Sequence, residues 1–286
     1  MADSSGHHPD LASLTVAVLS LSGDAVLARR VAELEHQGCR VVAIPEHEGR
    51  GPVPYLRMRA LRDATTPFVA FLEDTATVAP TWAAAAVAAL ADARIGAISG
   101  PVTIAPALPP RYRALGLTEY AAFQAGRQTV TAARDDAARV HGLGFAVRRA
   151  AVLDLYRPDE PGLIEGEIAD RLHRAGLRLG YVPDMATTYD QPHEQGARLG
   201  TRFQHGRLYA ATRVSQKGLA NRIAYALVAC LLPVILTQRS LAGRPLELRG
   251  SFGTVGWVFV MHSAWALGEF TGYLFGASAD SLKSWS

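Results

Sequence analysis

Three short apolar runs, 14–20 (LTVAVLS), 40–44 (RVVAI) and 67–72 (PFVAFL), are separated by stretches of helical length and periodicity. This spacing is the feature that most constrains the chain. Apolar runs of four to eight residues read as strands buried on both faces, and helices between them imply a parallel sheet. The pattern predicts helices over 24–37, starting near Asp24, over 55–64, and over the Ala-rich 81–93. A fourth strand is expected over 95–99, closed by Gly100-Pro101. Open sheets of this kind bind ligands at the carboxyl ends of their strands. Ser20, Glu46 and the pair Glu73-Asp74 each follow a strand directly, so all are expected along that edge.

The middle of the chain is less regular. Pro106 to Pro110 mark a loop, and 112–133 reads as a helix. Residues 141–153 (HGLGFAVRRAAVL) read as a Gly-rich turn, a short strand and a helix. Residues 162–184 read as a loop, an amphipathic helix carrying Ile164, Ile168 and Leu172, a stop at Gly176, and a strand.

Two apolar runs dominate the C-terminal part. Residues 223–236 carry no charge and contain Pro233; residues 252–275 are interrupted by His262 and Glu269. A spanning helix needs roughly 20 apolar residues, so the first run is short and the second is long enough. Arg213, Lys217 and Arg222 precede the first run, while Arg239, Arg244 and Arg249 lie between the two. A simple hairpin puts one basic group on the far side, against the positive-inside tendency. The reading is therefore a re-entrant or interfacial helix pair with both clusters at the cytoplasmic face; the alternative is a buried helical hairpin of a soluble protein.

Composition excludes more than it identifies. The net charge is only +3, and Lys217 and Lys283 are the only lysines among 29 basic residues. No basic run is interleaved with aromatics, so nucleic acid is not the expected partner. Cys39 and Cys230, far apart in different kinds of segment, argue against a disulfide or a cysteine metal site and fit a reducing compartment. The polar start, MADSSGHHPD, lacks a signal pattern and is expected to be a disordered tail over 1–13.

Several residues can carry chemistry, each with a plainer alternative. Paired acids at a strand end, Glu73-Asp74, can hold a divalent cation that neutralises a diphosphate; the alternative is a solvated turn. Glu165 and Glu167 flank Gly166 just before a helix. One can serve as a general base, or both can be first-turn acids favoured by the helix dipole. Asp170 pairs more naturally with Arg174 one turn on. Arg202 and Arg207 can grip a diphosphate or face an anionic membrane. His141, His193 and His205 have no metal-ligand spacing, and GxSxG, Walker and GxGxxG motifs are absent.

In order and spacing, these pieces resemble the family 2 glycosyltransferases of the GT-A fold, over about residues 14–213. The stretches that carry the likeness are LTVAVLS, YLRMRALRDATTPFVAFLEDT, IGAISGPV, HGLGFAVRRAAVL, IEGEIADRLHRAGLRLGYVPD and RFQHGRLYAATR. WALGEFTGYLFG resembles the membrane tail of some members. The resemblance implies an α/β fold, a GT-A domain over 14–215 with a mostly parallel, Rossmann-like sheet, followed by C-terminal membrane-associated helices over 216–286.

It also implies an inverting transfer of a single sugar from a nucleotide-diphosphate sugar to a lipid-linked or membrane-proximal acceptor at the cytoplasmic face of the cell membrane, in cell-envelope glycan synthesis. Ser20, Glu46, Arg57, Glu73, Arg202 and Arg207 would hold the donor, Asp74 would bind Mn²⁺ or Mg²⁺, and Glu165 or Glu167 would be the base. The chain departs from the family pattern at Thr75, where the third acid of the metal motif usually stands, and at Gly166 within the base segment. RFQHGR lacks the Trp of the motif found in processive members, which favours single transfer over polymerisation. The departures also keep open a catalytically weak scaffold or binding subunit.

Overall fold

Six strands form the main sheet, in the order β2-β1-β3-β7-β5-β8. They are β1 (Leu14–Leu19), β2 (Arg40–Ile44), β3 (Phe68–Glu73), β5 (Ile95–Ser99), β7 (Gly144–Arg148) and β8 (Arg178–Tyr181). These come from a computed structural model that describes residues 10–45, 53–123, 139–157, 160, 162–214, 217–242 and 251–278. β1 pairs in parallel with β2 and β3, and β5 in parallel with β8, as the alternating pattern predicts. β7 runs antiparallel to both its neighbours, β3 and β5. That reversal was not legible in the apolar pattern, which is the same for either direction. β1 and β3 are buried nearly end to end, and Phe71 meets Phe145 across the β3–β7 pair.

The helices α1 (Asp24–His36), α2 (Val53–Asp63), α3 (Trp82–Leu90), α5 (Arg149–Leu153) and α6 (Glu165–Arg174) follow the predicted order. α6 turns Ile168, Ala169 and Leu172 to the interior, and Leu172 lies where a side chain on Gly96 would stand. Three strands escaped the sequence reading: β4 (Ala76–Val78), β6 (Val102–Ile104) and β9 (Thr187–Tyr189) form a separate small sheet in the order β4-β9-β6. At three residues each, they are too short to show a period. The long helix expected over 112–133 is α4 (Pro110–Glu119) plus a turn at Ala121–Phe123, and its remainder lies outside the described residues. Glu46 and residues 1–9 also lie outside them. Leu11–Ser13, placed by sequence in the tail, form a 3-10 turn capped by Asp10.

The strands with α1, α2, α3, α5 and α6 make one unit. α4 makes another with α7 (Leu199–Arg213), α8 (Leu219–Ala229), α9 (Leu232–Leu241) and α10 (Phe252–Phe275). The second apolar run is thus a packed helix: α10 lies against α4, α7, α8 and α9. No single helix among the described residues is long and apolar enough to cross a membrane; the α8–α9 pair reaches that hydropathy only together and is bent by 54°. The polar residues that interrupt α10 are satisfied inside the helical unit. Buried Glu269 accepts from Trp265 Nε1 (2.5 Å) and Tyr273 Oη (2.8 Å), and His262 shares a hydrogen bond with Ser240 (2.9 Å).

α7 and α10 approach through glycines. A Cβ on Gly268 would stand 2.0 Å from the Phe203 carbonyl oxygen, one on Gly272 2.2 Å from that of Arg207, and one on Gly206 2.2 Å from that of Trp265. The obstacles are backbone atoms that no rotamer change can move. Gly268→Ala is therefore expected to destabilise the protein by about 2 kcal/mol or more, through forced separation of the helices. Gly256→Ala, on the same helix with open space around it, should raise stability by a few tenths to about 1 kcal/mol. Urea unfolding of both variants checks the pair.

The turn before β7 hangs on one neutral imidazole. Buried His141 contacts the Gly100 carbonyl oxygen through Nε2 (3.1 Å), and its Nδ1 accepts from the Gly144 N–H (3.2 Å). Burial holds its pKa down at about 4. A proton on Nδ1 would face the Gly144 N–H. The unfolded chain takes up this proton near pH 6.5, whereas the folded chain resists it until about pH 4, so stability is lost as pH falls through that window. The expected loss is up to about 3 kcal/mol. His141→Gln should cost stability at neutral pH and flatten the acid limb of the melting temperature against pH. His262, held down to about 4 chiefly by burial, and His193, also lowered by burial, contribute to the slope that remains.

Candidate functional site

The carboxyl ends of β1 and β3 lie side by side, because Leu19 pairs with Glu73. The amino end of the reversed β7 meets them there, and the Glu73 N–H donates to the Leu143 carbonyl (3.1 Å). One edge thus gathers the loop after β1, the Glu73-Asp74 pair and the HGLG turn. The start of α6 joins them through Glu165.

Arg57 is the centre of this edge. It comes from α2 and is 2% exposed. Its Nη1 donates to Glu165 Oε2 at 2.6 Å, and its Nη2 donates to Glu73 Oε1 at 3.1 Å and to the Gly142 carbonyl at 3.0 Å. The guanidinium carbon stands 5.5 Å from the centre of the Phe145 ring. A buried arginine with two carboxylates is a fork whose donors fix both acids in direction as well as in place. Gly142 makes room for it: a Cβ there would come within 2.9 Å of Glu165 Oε1 and 3.0 Å of Arg57 Nη2. Sequence reasoning named Arg57 as a donor-holding residue. In the structure three of its Nη donors are held by Glu165, Glu73 and the Gly142 carbonyl.

The two base candidates separate. Glu165 sits at the edge with its side chain one-third exposed. Glu167, two residues on and 52% exposed, points to Arg171, whose Nη2 lies 3.4 Å from its carboxylate. Arg171 also reaches Glu160 at 2.7 Å and lies over Tyr156. Glu167 therefore belongs to a surface ion cluster, and only Glu165 is brought to the edge.

Asp74 turns inward. Its side chain is fully buried, Oδ1 accepts from the Leu21 N–H (2.8 Å), and Oδ2 accepts from the Ser22 N–H (3.1 Å) and Ser20 Oγ (3.2 Å). Burial raises its pKa above the ordinary carboxylate value, opposed by these donors. Arg30, itself buried, donates to the Asp74 carbonyl (3.3 Å) and to Asp190 (2.5 Å). Asp74 and Ser20 thus shape the loop after β1 from behind. Thr75 is also inside: it is fully buried, its carbonyl accepts from the Asp190 and Gln191 N–H groups, and its hydroxyl finds no partner among the described residues. The third position of the acidic motif is therefore core, so an aspartate there would be buried as well. No group of three or more His, Cys, Asp or Glu side chains among the described residues is placed to hold a metal ion. The donor set does not fit a metal centre built from protein carboxylates: Asp74 is consumed and Glu73 is paired to Arg57.

Arg202 and Arg207 belong to the helical unit. Arg202 is buried, pairs with Glu119 and lies over Trp265, and burial lowers its pKa to about 10. Arg207 Nε donates to the Gly276 carbonyl (2.9 Å) at the end of α10. What the sequence missed was Gly142 as a site residue. A GxG is too common to signal one, and the close approach appears only in three dimensions.

No protein-family model matches the chain, and no curated protein does. Among solved structures, it is similar to a mannosyltransferase from Pyrobaculum calidifontis in complex with GDP-Man and Mn²⁺. The identity is 18%, the match covers 92% of this chain and 88% of that one, and the TM-score is 0.53. A structure of GalNAc-T7 with UDP, GalNAc and Mn²⁺ matches at 14% identity over 71% of this chain and 51% of that one, with a TM-score of 0.45. The mixed α/β fold with its mostly parallel central sheet is that of GT-A-type glycosyltransferases.

Proposed function

We propose that this chain is an inverting glycosyltransferase of the family 2 type that moves one sugar from a nucleotide-diphosphate sugar to a lipid-linked or membrane-proximal acceptor, at the cytoplasmic face of the cell membrane. The observation that carries the proposal is Glu165, held by Arg57 at the strand edge beside Glu73. It is supported by the fold shared with a mannosyltransferase whose structure holds GDP-Man and Mn²⁺. A hexosyl donor and a role in envelope glycan synthesis extend the same reading.

In this reading Glu165 takes the proton of the acceptor hydroxyl. The acceptor oxygen attacks the anomeric carbon from the face opposite the diphosphate, and the bond to the leaving phosphate oxygen breaks with its electron pair. Arg57 aims the base by engaging Oε2. The half-buried loop after β1, braced by Asp74, would offer a surface for the nucleotide. Gains from holding both substrates in line exceed what any one side chain supplies. A divalent cation suits this reading only as an ion carried mainly by the donor's phosphates, and no step depends on it here.

The second reading, a scaffold or binding subunit with weak or no catalysis, is favoured by the inward turn of Asp74 and Thr75. Calorimetry with nucleoside diphosphates, with and without Mn²⁺, separates the two: micromolar binding supports the enzyme, and none with any common nucleotide supports the scaffold. For the enzyme, Glu165→Gln should lower the transfer rate by about 10²-fold or more with little change in donor KM, the scale of a lost general base. Glu167→Gln should stay within about twofold, since it loses only an exposed ion pair. Arg57→Lys keeps the charge but loses the fork, so it should lower kcat with the donor still bound. A Glu165→Gln enzyme at full rate would sink the base assignment.

A further inference from the structure

α8 and α9 carry a surface that the transfer chemistry does not use. Their inner face packs: Ala226 and Ala229 join Ala210, Val214 and Tyr273 in a buried cluster. Their outer face is apolar as well. Leu219, Ile223, Leu227, Val228, Leu231 and Val234 are 44–68% exposed. Leu219, Ile223 and Leu227 recur every four residues along α8, and Leu231 follows in the break before α9, so they form a ridge rather than scattered exposures. One exposed leucine is ordinary, but a ridge on helices apolar on both sides needs a covering phase.

The charge pattern says which phase. From residue 195 to 246 the chain has eight Arg and Lys and no Asp or Glu. Lys217, just before α8, and Arg239, in the last turn of α9, are exposed at the two ends of the ridge. A second copy seated on this face would bring cations against cations with no acid in the segment to answer them. An anionic lipid surface answers both the ridge and its ends. The helices have 11 and 10 residues, about 15 Å each at 1.5 Å per residue, against a hydrocarbon core of about 30 Å. Bent by 54°, they do not make a straight span.

We propose that the outer face of α8–α9 seats this protein in a single leaflet of an anionic bilayer, lying in the interfacial plane with Lys217 and Arg239 at headgroup level. α10 stays in the helical core. The proposal deepens the membrane-proximal acceptor of the proposed function and rests on that reading for its purpose, but not on the transfer chemistry.

The test is co-sedimentation of the full chain with phosphatidylcholine vesicles, with and without phosphatidylglycerol. The expected result is binding to anionic vesicles that weakens with salt. Leu227→Ser/Leu231→Ser should lower the partition coefficient at least about tenfold on either composition. Lys217→Ala/Arg239→Ala should lower it only on anionic vesicles and reduce the salt dependence. Leu267→Ser, an exposed residue of α10 off the ridge, should change nothing. All these positions are exposed, and circular dichroism checks that each variant folds. Failure of the wild-type chain to bind either vesicle overturns the proposal, as does equal binding by the ridge variant. Dimerisation in sedimentation velocity that the ridge variant abolishes, without vesicle binding, also overturns it and assigns the ridge to a second copy. Donor hydrolysis in solution is read in parallel. The ridge variant should retain it, so loss of seating and failure of the glycosyltransferase reading give different outcomes.

Discussion

A buried guanidinium between two carboxylates organises the strand edge. Arg57 reaches from α2 to Glu73 at the end of β3, to the turn before β7 and to Glu165 at the head of α6. These segments lie far apart in sequence. A neutral residue in its place would leave two acids facing each other near the interior, which costs far more than the loss of a surface pair. The constraint has a functional side. In the proposed transfer the base must be held in one direction to accept a proton from one hydroxyl, and a forked donor holds direction better than a point charge.

Around that centre the acids divide their work. Asp74 turns inward and organises the loop after β1 by receiving its N–H groups, while Glu73 and Glu165 stay at the edge. Adjacent residues on a strand point to opposite faces, so a pair of acids at a strand end is split by geometry between interior and site. Thr75 follows the chain into the second, smaller sheet and is lost to the site altogether.

The sequence carried most of the first half of the fold because buried parallel strands and amphipathic helices write their periods plainly. The strands β1, β2, β3 and β5 stand close to where the apolar runs put them. The direction of β7 and the three-residue strands left no such mark. In the site, Glu165 and Arg57 were legible as residue types in a suggestive order. Their contact was not, because it joins positions 108 apart. The run over 252–275 is long enough by residue count to span a bilayer, but its packing was not legible: its glycines admit α7 and its glutamate is satisfied by a tryptophan and a tyrosine. Hydropathy measures what a segment avoids and is silent on what covers it.

Gly142 shows how space alone can fix an amino acid. Its backbone does not occupy the left-handed region that glycine favours. What holds the position to glycine is space: a Cβ there would crowd the ion pair beside it. Alanine there would meet the tips of Glu165 and Arg57 rather than the backbone, so the fold can absorb the change by letting those two side chains part. The position is a place where the chain can lose the proposed chemistry and keep its structure, and a survey of stability alone would pass over it.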